Sequence, residues 1–139
     1  MQKYNLIMVL NKEKTDLLMC FRTKDPYKGL YNLPGGKIDA GENHVESAYR
    51  ELFEETGITK EDINLIKYID YIWHPVNMSM DVTFGVLSED VELVEELHPL
   101  HWISLEENFF DMTKFAGEGN IGHMVEIYNY LTKQNIIFY

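Results

Sequence analysis

The sequence predicts an α/β fold in which strands pack around a central helix and a second helix comes late in the chain. Three observations carry this. Residues 43–56 have the periodicity and end signals of an amphipathic helix, apolar β-like runs flank them on both sides, and residues 120–131 repeat the helical pattern.

In chain order, Tyr4 to Leu10 is an apolar run that ends in the turn-like Asn11-Lys12-Glu13-Lys14-Thr15-Asp16, and Leu17 to Arg22 follows it. The two read as a hairpin or as neighbouring strands. Thr23 to Gly29 is a loop with Asp25-Pro26 in it; counting Arg22 at the strand end, this stretch holds three cations, Arg22, Lys24 and Lys28. Leu30 to Leu33 is a short strand that feeds Pro34-Gly35-Gly36. The helix opens at Asn43, an N-cap residue type, has Glu46 in the capping-box position, and stops at Gly57, where a left-handed residue is wanted. Projection at about 100° per residue puts Val45, Ala48, Tyr49, Leu52 and Phe53 on its core-facing side.

Ile63 to Trp73 and Met78 to Leu87 read as two strands paired antiparallel about His74-Pro75-Val76-Asn77. Strict alternation puts Tyr71 and Trp73 on one face and Tyr68 on the other, where aromatics either fill a core or stack on a ring. Ser88 to Leu97 is an acidic loop, and His101 to Glu106 a late strand and turn. In the second helix Asn120 is the expected N-cap, and Ile121, Met124, Ile127, Tyr128 and Leu131 form the apolar side. The tail, Ile136-Ile137-Phe138-Tyr139, is apolar enough to dock as a strand on the core or on a partner.

Composition bounds the class. With 139 residues, 45% hydrophobic and 25% charged, the chain can bury one core, and a single domain over residues 1–139 is the expectation. No apolar run approaches the roughly 18 residues of a membrane span, and the N-terminal stretch lacks a signal-peptide pattern, which points to the cytoplasm. The one cysteine, Cys20, lies among Leu17, Leu18, Met19 and Phe21 and reads as a buried strand residue. A net charge of −11 argues against a nucleic-acid backbone or an anionic membrane as partner; a small anion delivered with a cation fits, and monomer and homodimer both stay open.

Glu51, Glu54 and Glu55 stand in an (i, i+3, i+4) relation, so they converge on one strip of the first helix. Like charges there repel, and carboxylates in a last turn oppose the negative end of the helix dipole. A solvated acidic face, helped by Arg50 four residues from both Glu46 and Glu54, is one reading; a bound divalent cation is the other.

The wider pattern favours the cation. Gly36, Glu42, Arg50-Glu51-Leu52, Glu54-Glu55 and Gly57-Ile58 match GX5EX7REUXEEXGU, with U aliphatic, at every specified position from 36 to 58. The chain therefore resembles the Nudix (MutT-type) hydrolases. The resemblance implies an α/β/α sandwich with a mixed sheet, and hydrolysis by water of a nucleoside diphosphate linked to another moiety, with Mg2+ or Mn2+ at the box. Such cations turn repulsion between an acidic helix and a polyanionic pyrophosphate into bridging.

Carried over by position, the resemblance makes Glu51 and Glu55 the principal metal ligands, with Glu54 a further ligand or water-mediated partner and the Gly35 carbonyl a backbone ligand. Arg50 orients the carboxylates, Glu42 supports the loop or adds a ligand, and Glu51 or a loop carboxylate, Glu95 or Glu96, assists deprotonation of water. Arg22, Lys24 and Lys37 are candidate phosphate contacts, and Asn32 and Asn120 candidate base contacts. The expected activity is Mg2+-dependent cleavage of a nucleoside triphosphate or related nucleotide, of which 8-oxo-dGTP is one. An ADP-ribose or nucleotide-sugar pyrophosphatase, and a nucleotide sensor without turnover, are the alternatives.

Overall fold

Four consecutive side chains of the first strand, Ile7, Met8, Val9 and Leu10, are fully buried, which requires cover on both faces. In the computed structural model, which describes residues 1–137, that strand, β1 (Gln2–Leu10), runs through the middle of a seven-stranded sheet. The other strands are β2 (Asp16–Phe21), β3 (Tyr31–Asn32), β4 (Gly35–Lys37), β5 (Ile66–Trp73), β6 (Met78–Val86) and β7 (Leu100–Ser104). The main path runs β3-β2-β1-β6-β5, with β4 added to β1 and β7 to β2. Among the seven named strands only β1 and β6 pair in parallel, from Gln2 opposite Met78 to Leu10 opposite Val86, so the sheet is mixed as expected.

Helix α1 (His44–Thr56) covers one face, where Ala48 and Leu52 meet Ile7, Val9, Leu18 and Cys20. Helix α2 (Asn120–Lys133) covers the other, where Ile121, Met124, Val125 and Tyr128 meet Met8, Leu10, Leu17, Met19 and Phe84. Alternation along each strand divides its side chains between these two cores. The result is the three-layer α/β/α sandwich.

Asn43 caps α1 as expected: its Oδ1 accepts from the Val45 and Glu46 amides at 2.9 and 3.3 Å, and Gly57 closes the helix in the left-handed region at φ 79°. Asn43→Ala is expected to cost about 1 kcal/mol and to lower the melting temperature by roughly 3–5 °C in a calorimetric scan.

Several local expectations give way. The stripe of α1 is rotated from its projection: Ser47, Ala48, Leu52 and Thr56 are buried, while Phe53 is 57% exposed. Small side chains let α1 approach β1 closely, and Ser47 and Thr56 satisfy their hydroxyls inside. The diglycine belongs to a strand rather than a loop, with Gly35 opposite Leu6, Gly36 opposite Asn5 and Lys37 opposite Tyr4. Strand β5 begins at Ile66; Ile63 makes only an isolated bridge to Leu87.

A register shift between Lys67 and Ile69 breaks the alternation of β5, so Tyr68 and Tyr71 both pack on the α2-side core rather than on opposite faces. In α2 the N-cap is Gly119 at φ 90°, and Asn120 is already helical. Ile127 is 38% exposed, and Val125 takes the buried position instead. Ile136 and Ile137 are not in a strand, and Phe138 and Tyr139 lie outside the described residues. Among the described residues no helix is long and apolar enough to cross a membrane.

Candidate active site

Glu51 and Glu55 are one turn apart on α1, and both reach β4. The Gly35 amide donates to Glu55 Oε2 at 3.1 Å. A Cβ at Gly36 would lie 2.8 Å from the Glu51 carboxylate, so that carboxylate sits against a bare stretch of backbone. Gly35 has φ 154°, and a Cβ there would overlap the Asn5 carbonyl oxygen on β1. Glycine at both positions is what lets β1, β4 and the two carboxylates stack in so little space.

Arg50 ties the acidic groups together. Its Nε and Nη2 donate to the two Glu42 oxygens at 2.8 and 2.9 Å, and its Nη1 donates to Glu51 at 3.2 Å and to Glu54 at 3.3 and 3.4 Å. Hydrogen bonding to Arg50 holds the Glu42 carboxyl down at about 2, and its neighbours raise Arg50 itself. Glu54 is the outward member, its side chain 55% exposed against 15% for Glu51.

Burial acts the other way on the inner pair. It pushes Glu51 up against the pull of Arg50, and pushes Glu55 from 4.5 up to about 7, opposed by the Gly35 amide and reinforced by Glu51. The folded protein therefore holds more protons at Glu55 than the unfolded chain between these two values. The stabilising contribution is greatest below the unfolded pKa and falls as pH rises towards 7. A cation that binds the folded carboxylates offsets that loss. Mg2+ is thus expected to raise the melting temperature more at about pH 8 than at about pH 6; equal shifts in differential scanning fluorimetry would contradict this ordering.

Among the described residues no three His, Cys, Asp or Glu side chains already converge as a finished metal cluster. The chemistry of the donors nonetheless fits a hard divalent cation: they are oxygen donors, and the two inner carboxylates carry negative charge that burial makes costly. Glu51 and Glu55, with Glu54 at the rim, are the residues that would hold it.

A cavity of about 780 Å³ opens beside β4. Its lining combines the polar side chains of Arg22, Asn32, Lys37 and Glu55 and the backbone of Gly35 and Gly36 with the apolar or aromatic side chains of Tyr4, Leu6, Trp73, Met78 and Met80. Arg22 is braced by donating from Nε to the Pro26 carbonyl at 3.1 Å. The Asn32 Oδ1 accepts from the Leu33 amide at 2.8 Å, the turn-capping bond open to such an amide.

Lys24, Asn120, Glu95 and Glu96 are not among the lining residues. Glu95 accepts the Leu100 amide at 2.6 Å and caps the start of β7. Cys20 lies at the cavity wall as a buried strand residue, its thiol pushed up to about 12 by burial. His98, beside it in the lining, is buried, and its Nδ1 accepts the Thr23 amide at 3.3 Å.

Tyr27 and Glu118 were not legible in the sequence. The Tyr27 hydroxyl donates to the Glu118 carboxylate, with both oxygens at 2.9–3.0 Å, and closes one side of the cavity between two loops. Both residues are non-glycine with positive φ, 67° and 51°. The one available signal was the Gly117-Glu118-Gly119 run, since flanking glycines permit the left-handed turns that aim Glu118.

A family model described as NUDIX domain matches residues 1–121. An 8-oxo-dGTP diphosphatase of Buchnera aphidicola subsp. Acyrthosiphon pisum is 39% identical over 66 residues, covering 47% of this chain and 49% of that protein. The chain thus spans about half the length of that relative. Two solved structures resemble the fold. One is a Caenorhabditis elegans Ap4A hydrolase binary complex, with TM-score 0.72, 21% identity, and 96% and 99% of the two chains covered. The other is the Escherichia coli dihydroneopterin triphosphate pyrophosphohydrolase, with TM-score 0.71, 15% identity, and 92% and 95% covered.

Proposed function

Since this chain belongs to the Nudix family, we propose that it is a divalent-metal-dependent pyrophosphohydrolase that cleaves a nucleoside triphosphate or a related nucleoside diphosphate derivative. The observation that carries the reading is the meeting of Glu51 and Glu55 at β4, beside a cavity lined by cations and backbone as well as by apolar and aromatic side chains. A nucleotide calls for both kinds of group. Its phosphates need cations and backbone donors, and its base needs a flat apolar surface. The relative named for 8-oxo-dGTP supports a purine nucleoside triphosphate as the first substrate to try.

In this reading Arg22 and Lys37 hold phosphate oxygens, while Trp73 and the Met78 and Met80 side chains cover the base. Arg50 keeps the carboxylates aimed. A bound Mg2+ or Mn2+ polarises the phosphoryl oxygens and lowers the pKa of water nearby. Glu51 takes the proton as water attacks phosphorus.

The test is a panel of nucleoside triphosphates, 8-oxo-dGTP, ADP-ribose, nucleotide sugars and dinucleoside polyphosphates, with Mg2+, Mn2+ or EDTA, read by product chromatography. Cleavage concentrated on one class and removed by EDTA is expected. Nucleotide-dependent thermal stabilisation without cleavage of any compound would overturn the proposal in favour of a sensor.

A further inference from the structure

His98, just ahead of β7, is 7% exposed, and it lines the same cavity as Arg22 and Glu55. The Thr23 amide donates to its Nδ1 at 3.3 Å, and the Thr23 hydroxyl stands 3.0 Å from the same nitrogen. An amide N–H can only donate, so Nδ1 carries the lone pair, and the single proton of a neutral imidazole belongs on Nε2. Burial, with the charges of Arg22 and Lys24 nearby, lowers the His98 pKa and keeps the ring neutral at neutral pH.

Nε2 lies 3.5 Å from Arg22 Nη1. A guanidinium has no acceptor, so here two donors face each other at the cavity wall. Arg22 spends its Nε on the Pro26 carbonyl, but among the described residues no acceptor is hydrogen-bonded to its Nη1 or to His98 Nε2. Donors left in this way in a buried place are costly, and one anionic oxygen seated between them would satisfy both.

We infer that His98 is a phosphate-binding residue, donating from Nε2 to the phosphate oxygen that Arg22 Nη1 also holds. The inference rests on the reading of the cavity as a nucleotide site. A neutral donor suits this place, because it adds a hydrogen bond to the phosphate without a further cation beside Glu55, where the metal would sit.

The probe is methylenediphosphonate, a pyrophosphate analogue with no base and no cleavable bridge, added with excess Mg2+ and read by titration calorimetry. His98→Asn keeps an oxygen that can accept the Thr23 amide but has no donor where Nε2 stood. It is expected to bind the probe roughly tenfold more weakly, the scale of a hydrogen bond to a charged group. A histidine that merely held the loop would leave the affinity of His98→Asn unchanged, and that result overturns the inference while the nucleotide reading stands. No binding of the probe by the unaltered protein overturns both.

A second measurement needs no variant. The ring nitrogens of His98 in the 15N-labelled protein are expected to show the Nε2–H tautomer, with the Nε2 proton moving downfield as methylenediphosphonate is added. The Nδ1–H tautomer, or an Nε2 proton that the bound probe does not move, overturns the inference even if His98→Asn does not fold.

Discussion

Glu51→Gln is expected to give a folded protein whose turnover falls by roughly 10³-fold or more. The replacement keeps size and hydrogen-bonding shape but removes the charge at the position where α1 meets Gly36. A neutral amide neither balances a divalent cation nor takes a proton from water. Arg50 would keep Glu42 and Glu54, so the helix has no reason to unfold. The measurement is kcat on the best substrate at saturating Mg2+, with circular dichroism and nucleotide binding by calorimetry on the same sample. Full turnover would contradict the assignment of Glu51, whereas lost turnover with retained nucleotide binding fits it.

Gly35→Ala is expected to be the most damaging single methyl in the chain. The new Cβ would overlap the Asn5 carbonyl oxygen, which is backbone and cannot rotate away, at a φ that L residues rarely adopt. Relief requires β4 to leave β1, which also withdraws the Gly35 amide from Glu55. A loss of at least about 3 kcal/mol in chemical denaturation is expected, together with loss of activity. Gly41 is the control. It has φ 79° but nothing within 4 Å of its Cβ position, so Gly41→Ala should cost only about 1–2 kcal/mol of backbone strain and leave the metal dependence alone. Similar losses at the two sites would refute the steric account.

The acidic part of the candidate site was legible because its parts are local in sequence. Cap, acidic turn and glycine stop lie within one helix, where spacing converts directly into direction. The expectation that Phe53 faces the core failed because that conversion knows only periodicity. It does not know that β1 would come close enough to favour Ser47 and Ala48. The rest of the cavity lining was less legible for a different reason. Tyr27, Trp73 and Glu118 come from three distant segments, and no spacing relates them. Backbone features that sequence alternation cannot carry aim these segments: left-handed residues at 27 and 118, and the register shift in β5 that moved Tyr68.

The parallel pairing of β1 with β6 bears on how the molecule is made. Strand β1 finds its full-length neighbour β6 only after α1 and β5 have been made, since Gln2 lies opposite Met78. Contacts so distant in sequence are reached by closing a long loop, which slows folding relative to local pairings. Until β6 arrives, Ile7, Met8, Val9 and Leu10 form an apolar edge able to join other chains. A nascent chain stalled before Met78 should therefore aggregate or recruit a chaperone, and the glycine strand that meets the Glu51 and Glu55 carboxylates should gain lasting hydrogen-exchange protection only after β6 has docked.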